Sequence, residues 1–476
     1  MFNRSTVSGV KDVYLGTDFI TYEIQKFKSS PVYRQMIVGE SYFVGDQDIL
    51  KKQRVVVGEY GRLEVASHLP NNKIVDNQYR KAVIQKSNYL LGKPLILATE
   101  NSVYSDELTD IFNDRFRKIL KNVGEDSLNC GIGYMFVGID DDGLLKFTRL
   151  KPFEIIPIWE DAEHEKLNMV IRVYETSKFT GYGDEIIQNV EVYKDNGIDY
   201  YTYKNNRLVA VEPYHKDYLI KDNQGYAWDR IPVIPFKYNS LEVPLIKLVK
   251  PLQDGLNTLL SNFQDNMEEN IHNTVMVLVN YDGENLGEFR RNLATYGAVK
   301  VRSTGEAPGD VKTLSVEVNA ENYKALVELH KKAIVENAMG YDAKDDRMGG
   351  NANQMNIQSM YNDIDLDTNG TETEYRASFE NLLWFVNTYL ENSKKGDFEN
   401  EKVEVIFNRD MLMNEAEIMD NLNKSISILS TDSILANHPW VNDVEAEKKK
   451  LNEDKEKDIK DYENAFKVGD TIGQEK

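Results

Sequence analysis

A chain of 476 residues is too long for one ordinary hydrophobic core and points to roughly two to four domains. Hydrophobic residues make up 41%, which excludes a disordered chain, and the single cysteine, Cys130, excludes an internal disulfide. Asp and Glu (78) outnumber Lys and Arg (57), and the net charge of −21 argues against a surface that wraps nucleic acid tightly, while leaving room for local basic stripes.

The N-terminal text MFNRSTVSGVKDVYLG lacks the apolar run of a signal peptide, and no segment approaches the roughly 18 apolar residues of a membrane span. The expectation is a soluble protein made in a cytoplasm. Residues 1–70 are weakly patterned. Over 72–91, Val75, Tyr79, Ala82, Val83, Lys86, Tyr89 and Leu90 share one helical face, and Gly92 and Pro94 end the helix. A second helix is expected after Ser105 as its cap, with Leu108, Ile111, Phe112, Phe116, Ile119 and Leu120 as its stripe. The period then changes. GYMFVGIDDDGLLKFTRL (133–150) reads as a hairpin around Asp140–Gly143. NMVIRVYE, NVEVYKDNGIDYYTYKNNRLV and RIPVIPFKY continue as an antiparallel meander.

Helices return at 244–271, where Leu245, Val249, Leu252, Leu256, Leu259, Phe263 and Met267 recur at steps of three and four. Pro251 either kinks this helix or marks its start. A small α/β insert follows, and then a helix capped by Asn319 and running to Asn337. A polar loop leads into a long helix over about 355–392 with Gly370 at its centre, where a bend is expected. VEVIFNR is a strand, and the charge-laced AEKKKLNEDKEKDIKDYE a solvated helix. The fold class is α+β.

Catalytic patterns are missing. There is no GxxxxGK[ST]; Gly131 and Gly133 begin a GxG without a third glycine; and no pair among the six histidines has HExxH spacing. Cys130 reads as a small packed residue and His164 as part of a polar turn. Asp140, Asp141 and Asp142 could hold a cation, but a turn explains them with fewer assumptions. Asp345 and Asp346 are adjacent and lack an activating neighbour, so an acid/base pair is disfavoured. Neither a cofactor nor a metal is expected.

Five segments in order resemble the portal proteins of long-tailed double-stranded DNA bacteriophages. They are YRKAVIQKSNYLLGKPL, NCGIGYMFVGIDDDGLLKFTRLKPFEIIPIWED, RIPVIPFKYNSLEVPLIKLVKPLQDGLNTLLSNFQDNMEE, GNANQMNIQSMYNDIDLDTNGTETEYRASFENLL and STDSILANHPWVNDVEAEKKKL. Together they span most of 70–455. The resemblance implies a portal fold whose twelve copies form a ring around a channel at a capsid vertex. It also implies packaging and ejection of DNA through that channel, without catalysis. Residues 71–243 and 355–400 would be the wing, the latter a long kinked helix. Residues 244–272 and 319–339 would be the stem helices, 273–318 the α/β clip, 340–354 the tunnel loop and 401–476 the helical crown. The N-terminal 70 residues stay unassigned.

The implied partners are further copies of the chain, double-stranded DNA without base preference, the terminase large subunit, a head–tail adaptor, and the capsid and scaffolding proteins. The implied location is the virion, with the host cytoplasm during assembly. Within the loop, Asp345, Asp346, Arg347, Gly349, Gly350, Asn351, Asn353 and Gln354 would face DNA. Where the family often has Asn-Ala-Ser-Gly, this chain has Asn351-Ala352-Asn353-Gln354. Lys324, Lys331 and Lys332 are candidates for basic rings lining the channel, and Arg290 and Arg291 for motor docking. The alternatives are another head–tail connector, or a carboxylate-based hydrolase with 340–354 as its lid.

Overall fold

The computed structural model describes residues 16–457 except 58–61, 68, 141, 222–223, 273–274, 280–309, 315–319, 343–353, 410–414, 437, 439, 442–443 and 445. In chain order come α1 (Thr17–Ser29), α2 (Pro31–Val44), β1 (Val55–Val57), β2 (Leu63–Val65), α3 (Gln78–Leu91), β3 (Ile96–Ala98), α4 (Ser102–Ile111) and α5 (Asp114–Cys130). There follow β4 (Ile132–Ile139), β5 (Leu145–Leu150), β6 (Ile155–Trp159), β7 (Leu167–Phe179), β8 (Asp184–Lys194), β9 (Gly197–Lys204), β10 (Arg207–Lys216), β11 (Leu219–Lys221), β12 (Gln224–Tyr226) and β13 (Val233–Lys237). Then come α6 (Ile246–His272), β14 (Val275–Val279), β15 (Asp310–Leu314), α7 (Ala320–Asn337), α8 (Gln354–Asn392), β16 (Glu404–Ile406), α9 (Glu415–Ser425) and α10 (Thr431–Ala436).

The chain divides into two compact units. One comprises residues 1–44, 79–248 and 335–476; the other comprises 45–78 and 249–334. In the first, β10-β9-β8-β7-β6 form an antiparallel sheet, the expected meander. RIPVIPFKY does not extend it. As β13 it returns to the β4–β5 hairpin, pairing Ile234 with Met135, and makes a separate three-stranded sheet. The hairpin turn forms as its Asp-Gly predicts. Asp140 Oδ1 accepts the N–H groups of Asp142 and Leu144, and Gly143 takes φ 77. The Asp140 carboxylate is thus occupied by the turn.

The core of this unit is aromatic. Phe116, Phe147, Phe236, Tyr375 and Phe379 are buried together between α5, the three-stranded sheet and α8. Their rings meet mainly edge to face, Phe116–Phe147 at 4.9 Å and Phe236–Tyr375 at 5.2 Å. Each such ring contributes about 2–3 kcal/mol through burial alone. Cys130 is fully interior, and burial pushes its thiol well above the usual range. Gly131 ends α5 at φ 87, and a Cβ there would lie 2.1 Å from the Glu242 carbonyl oxygen. The residue therefore serves a helix end and a close backbone approach. His164 is not a turn accident: it is buried, stacked on Trp159 at 4.8 Å, with Nδ1 2.6 Å from Glu242 Oε1.

Several boundaries differ from the sequence expectation. The stripe from Leu108 to Leu120 spans two helices, not one. Asn101 caps α4 through the N–H groups of Val103 and Tyr104, and Asn113 caps α5 through those of Arg115 and Phe116. Ser105 lies inside α4. α3 begins at Gln78, six residues later than expected. Pro251 lies inside α6, five positions beyond its first residue, and so does not mark its start. α8 runs through Gly370 as one helix of 39 residues. Residues 17–44, unpatterned in sequence, form two helices.

In the second unit, α6 and α7 contribute most of the helical structure. Phe263 packs on Tyr323 with ring centres 4.7 Å apart, and Asn266 Nδ2 donates to the Tyr323 hydroxyl. Gly255 faces His330, where a Cβ would come within 3.1 Å of the imidazole. β14 and β15 pair antiparallel, Val275 opposite Leu314; the rest of the expected insert lies outside the described residues.

Candidate functional site

Two constellations distinguish the chain, one in each unit. The first holds both flanks of the polar loop. Lys86 projects from α3 and is almost fully buried, its side chain 3% exposed. Its ammonium donates to the carbonyl of Met339, just past α7, at 3.0 Å and to Asp367 Oδ2 on α8 at 2.6 Å. One side chain thus fixes the chain before residues 343–353 and the helix after them. Gln85 Nε2 donates to the Tyr341 carbonyl at 3.2 Å. The Tyr341 ring lies against Tyr361 of α8 at 4.6 Å, and Tyr361 stacks on Tyr89 of α3 at 5.6 Å. The Tyr89 hydroxyl donates to Asp365 and the Tyr238 hydroxyl to Asp367.

The electrostatics follow from burial. Desolvation pushes the Lys86 ammonium below the usual lysine range, and the Asp367 carboxylate opposes that shift without cancelling it. Burial, together with the bond to Asp365, raises the Tyr89 hydroxyl, which remains a neutral donor. The three α3 positions 85, 86 and 89 form one patch because residues three and four apart share a helix face.

The second constellation is a polar ladder on α6. Gln253, Asn257, Ser261 and Asp265 recur every four residues and are all at most 2% exposed. They bind the backbone of an extended segment at 72–76. Asp265 Oδ1 accepts the Asn72 N–H at 2.7 Å, Ser261 Oγ the Ile74 N–H at 2.9 Å and Asn257 Oδ1 the Asp76 N–H at 3.0 Å. Gln253 Nε2 donates to the Asp76 carbonyl at 2.7 Å. The geometry works because four residues of helix advance about 6.0 Å and two of strand about 6.6 Å. Lys52 Nζ also reaches Asp265 Oδ2 at 2.9 Å. Burial alone would raise the Asp265 carboxyl, but the Asn72 and Lys52 donors outweigh it and hold it below the usual range.

The sequence-proposed residues fall as follows. Asp345, Asp346, Arg347, Gly349, Gly350, Asn351, Asn353, Arg290 and Arg291 lie outside the described residues. Gln354 is the first residue of α8. Lys324 and Lys332 are exposed on α7. Lys331 Nζ lies 2.7 Å from Asp76 Oδ2, so its charge is paired with the segment that the ladder holds. Sequence reasoning missed Gln85, Lys86, Asp367 and the ladder. Only the ladder left a signal, the four-residue repeat Gln-Asn-Ser-Asp beside the apolar stripe. Among the described residues no group of three or more His, Cys, Asp or Glu is placed to hold a metal ion, and no helix is long and apolar enough to cross a membrane.

Comparison with known proteins places this architecture among relatives. The profile of the family described as phage portal protein, SPP1 Gp6-like, matches residues 31–461. The portal protein of Bacillus phage SPP1 is 28% identical over 441 residues, 91% of this chain and 86% of its own length. The portal protein of Clostridium phage phiCD119 is 28% identical over 435 residues, 89% of this chain and 93% of its own. A chain from the neck of a native GTA particle, solved with C12 symmetry, aligns over 75% of this chain and 88% of its own length at 14% identity, with a TM-score of 0.40.

Proposed function

The chain belongs to the SPP1 Gp6-like phage portal proteins, a structural family of homo-oligomeric rings at a capsid vertex, and we propose that it acts, without catalysis, as the conduit through which double-stranded DNA is packaged and later ejected. The assignment displaces the connector and hydrolase alternatives. Residues 244–272 and 319–339 serve as stem, 273–318 as clip, 71–243 and 355–400 as wing, and 401–476 as crown. During assembly in the host cytoplasm the ring engages the terminase large subunit through the clip, with Arg290 and Arg291 at the contact. The head–tail adaptor later takes that place. Capsid and scaffolding proteins meet the outer parts. Lys324 and Lys332 supply weak cationic rings on the stem; Lys331 contributes less, because Asp76 already neutralises it.

The tunnel loop, 340–354, carries the contact with DNA. The observation that supports this is the double anchorage of its flanks: Lys86 grips both Met339 and Asp367. A surface linker has no need of a buried cation tying its start to the helix that follows it, whereas a segment that must work against a moving duplex needs a rigid base. Asn351, Asn353 and Gln354 offer hydrogen bonds to phosphates without the charge pairing that creates drag, and Arg347 adds one cationic contact per copy. Asp345 and Asp346 keep the segment from becoming attractive, and Gly349 and Gly350 let the backbone turn. None of these contacts reads a base edge, so binding is independent of sequence. Deleting 346–352 and closing the gap with two glycines should leave ring assembly and motor binding intact while impairing packaging or DNA retention. Packaging and retention at the unmodified level would refute this role.

A further inference from the structure

We infer that a single buried water molecule occupies the junction of α3, α5 and α8, held by Lys86 and Ser87. Two independent deficits converge there. An ammonium carries three N–H donors. Lys86 gives one to Met339 and one to Asp367, and the third has no acceptor among the described residues. Its neighbour Ser87 is 2% exposed, and its Oγ has no hydrogen-bond partner among the described residues. Buried polar groups left so are costly, and native interiors resolve them with protein or with water.

The side chains around them do not resolve them in this arrangement. Both residues line one small pocket with a volume of about 20 Å3. That is enough for one water and too little for a larger ligand. Four other hydroxyls in its wall are engaged elsewhere: Tyr238 donates to Asp367, Thr371 to the Tyr238 carbonyl, and Tyr375 pairs with Ser127, while Thr368 adds a further hydroxyl to the wall. The remaining wall includes Leu90, Leu91 and Leu128.

The occupant is a small neutral hydrogen-bonding molecule, not an ion. Lys86 and Asp367 already neutralise each other at 2.6 Å. An added cation would face the ammonium, an added anion the carboxylate, and either would lie against leucine without further partners. Water accepts from the Lys86 ammonium and exchanges a hydrogen bond with Ser87 Oγ. It thereby completes the coordination of the charge that holds Met339 and α8.

The test is a density map of the intact assembly at a resolution that shows ordered solvent. One isolated peak should lie within about 2.7–3.2 Å of both Lys86 Nζ and Ser87 Oγ. An empty cavity overturns the inference, as does a Ser87 hydroxyl turned back onto the Val83 carbonyl one helical turn earlier. A second measurement has opposite signs for a wet and a dry cavity. Ser87→Val displaces the water and strands the third Lys86 donor, so protection of the α3 amides from hydrogen exchange should fall roughly tenfold. In a dry cavity the added methyl groups fill a void, and protection rises. Should Ser87→Val not fold, Ser87→Ala leaves the water on Lys86. The peak should then persist, with protection reduced roughly threefold; unchanged or increased protection with no peak refutes the site.

Discussion

Asp265→Ala tests the reading of α6 as a helix that binds the backbone of residues 72–76. The carboxylate is 3% exposed and accepts from the Asn72 backbone N–H at 2.7 Å, Asn72 Nδ2 at 2.9 Å and Lys52 Nζ at 2.9 Å. Truncation removes all three bonds. The Asn72 N–H loses its partner at a cost of about 1–3 kcal/mol. Lys52, 20% exposed at its side chain, recovers part of its hydration, so its loss is nearer that of a screened pair, about 1 kcal/mol. The sum is about 3 kcal/mol, which corresponds to a fall of roughly 100-fold in protection of local amides. Global unfolding is a poor assay, because a chain of two compact units does not guarantee a two-state transition. Hydrogen exchange resolved to the peptide 71–77 is direct: Asp265→Ala should expose chiefly Asn72, Ser261→Ala chiefly Ile74, and Asn257→Leu chiefly Asp76. The carboxyl is depressed below its usual 3.8, so its contribution is present above that pH and is lost as pH falls through the lower folded value. Protection of this peptide that ignores all three substitutions, or that is already absent in the unmodified protein, refutes the ladder.

Gly131→Ala places a Cβ 2.1 Å from the Glu242 carbonyl on a backbone at φ 87 and should cost about 2–4 kcal/mol, read as a lowered melting temperature of the α5 and β4 region. Tyr375→Phe removes a 2.7 Å hydroxyl contact with Ser127 but leaves Ser127 bonded to the Gly124 carbonyl. A loss of about 1 kcal/mol is expected, read as a roughly fivefold fall in hydrogen-exchange protection of the α5 amides around Ser127, with no change in secondary structure. Lys86→Met keeps the packing of the side chain and deletes the charge. Exchange should rise at 339–342 and around Asp367, while the β6–β10 sheet is unaffected.

Much of the fold was legible because its apolar residues keep strict periods. α8 was expected over about 355–392 and runs from Gln354 to Asn392, and the β4–β5 turn followed from Asp-Gly. The break between α4 and α5 was not legible. The apolar stripe continues across the break from Phe112 to Phe116, two rings that touch at 4.6 Å. Periodicity reports which face is buried, and here successive helices bury faces that run on from one another.

The site was less legible, and for a different reason. Leu256 and Phe263 were visible as the apolar face of a helix, and the structure buries Leu256 and sets Phe263 on Tyr323. Exposed apolar side chains on these helices include Leu248, Met267, Leu326 and Leu329. Lys86 read as one member of an apolar face because its meaning lies in partners 253 and 281 residues away. No local rule separates a lysine that extends to solvent from one that turns inward to a distant carbonyl. The α6 ladder shows the converse. A polar residue every fourth position looks like the solvated side of an amphipathic helix, and becomes interior only because an extended segment covers it. Whether such a stripe faces water or a backbone is decided by the rest of the chain, so function that depends on buried polar contacts is the part a single sequence conceals.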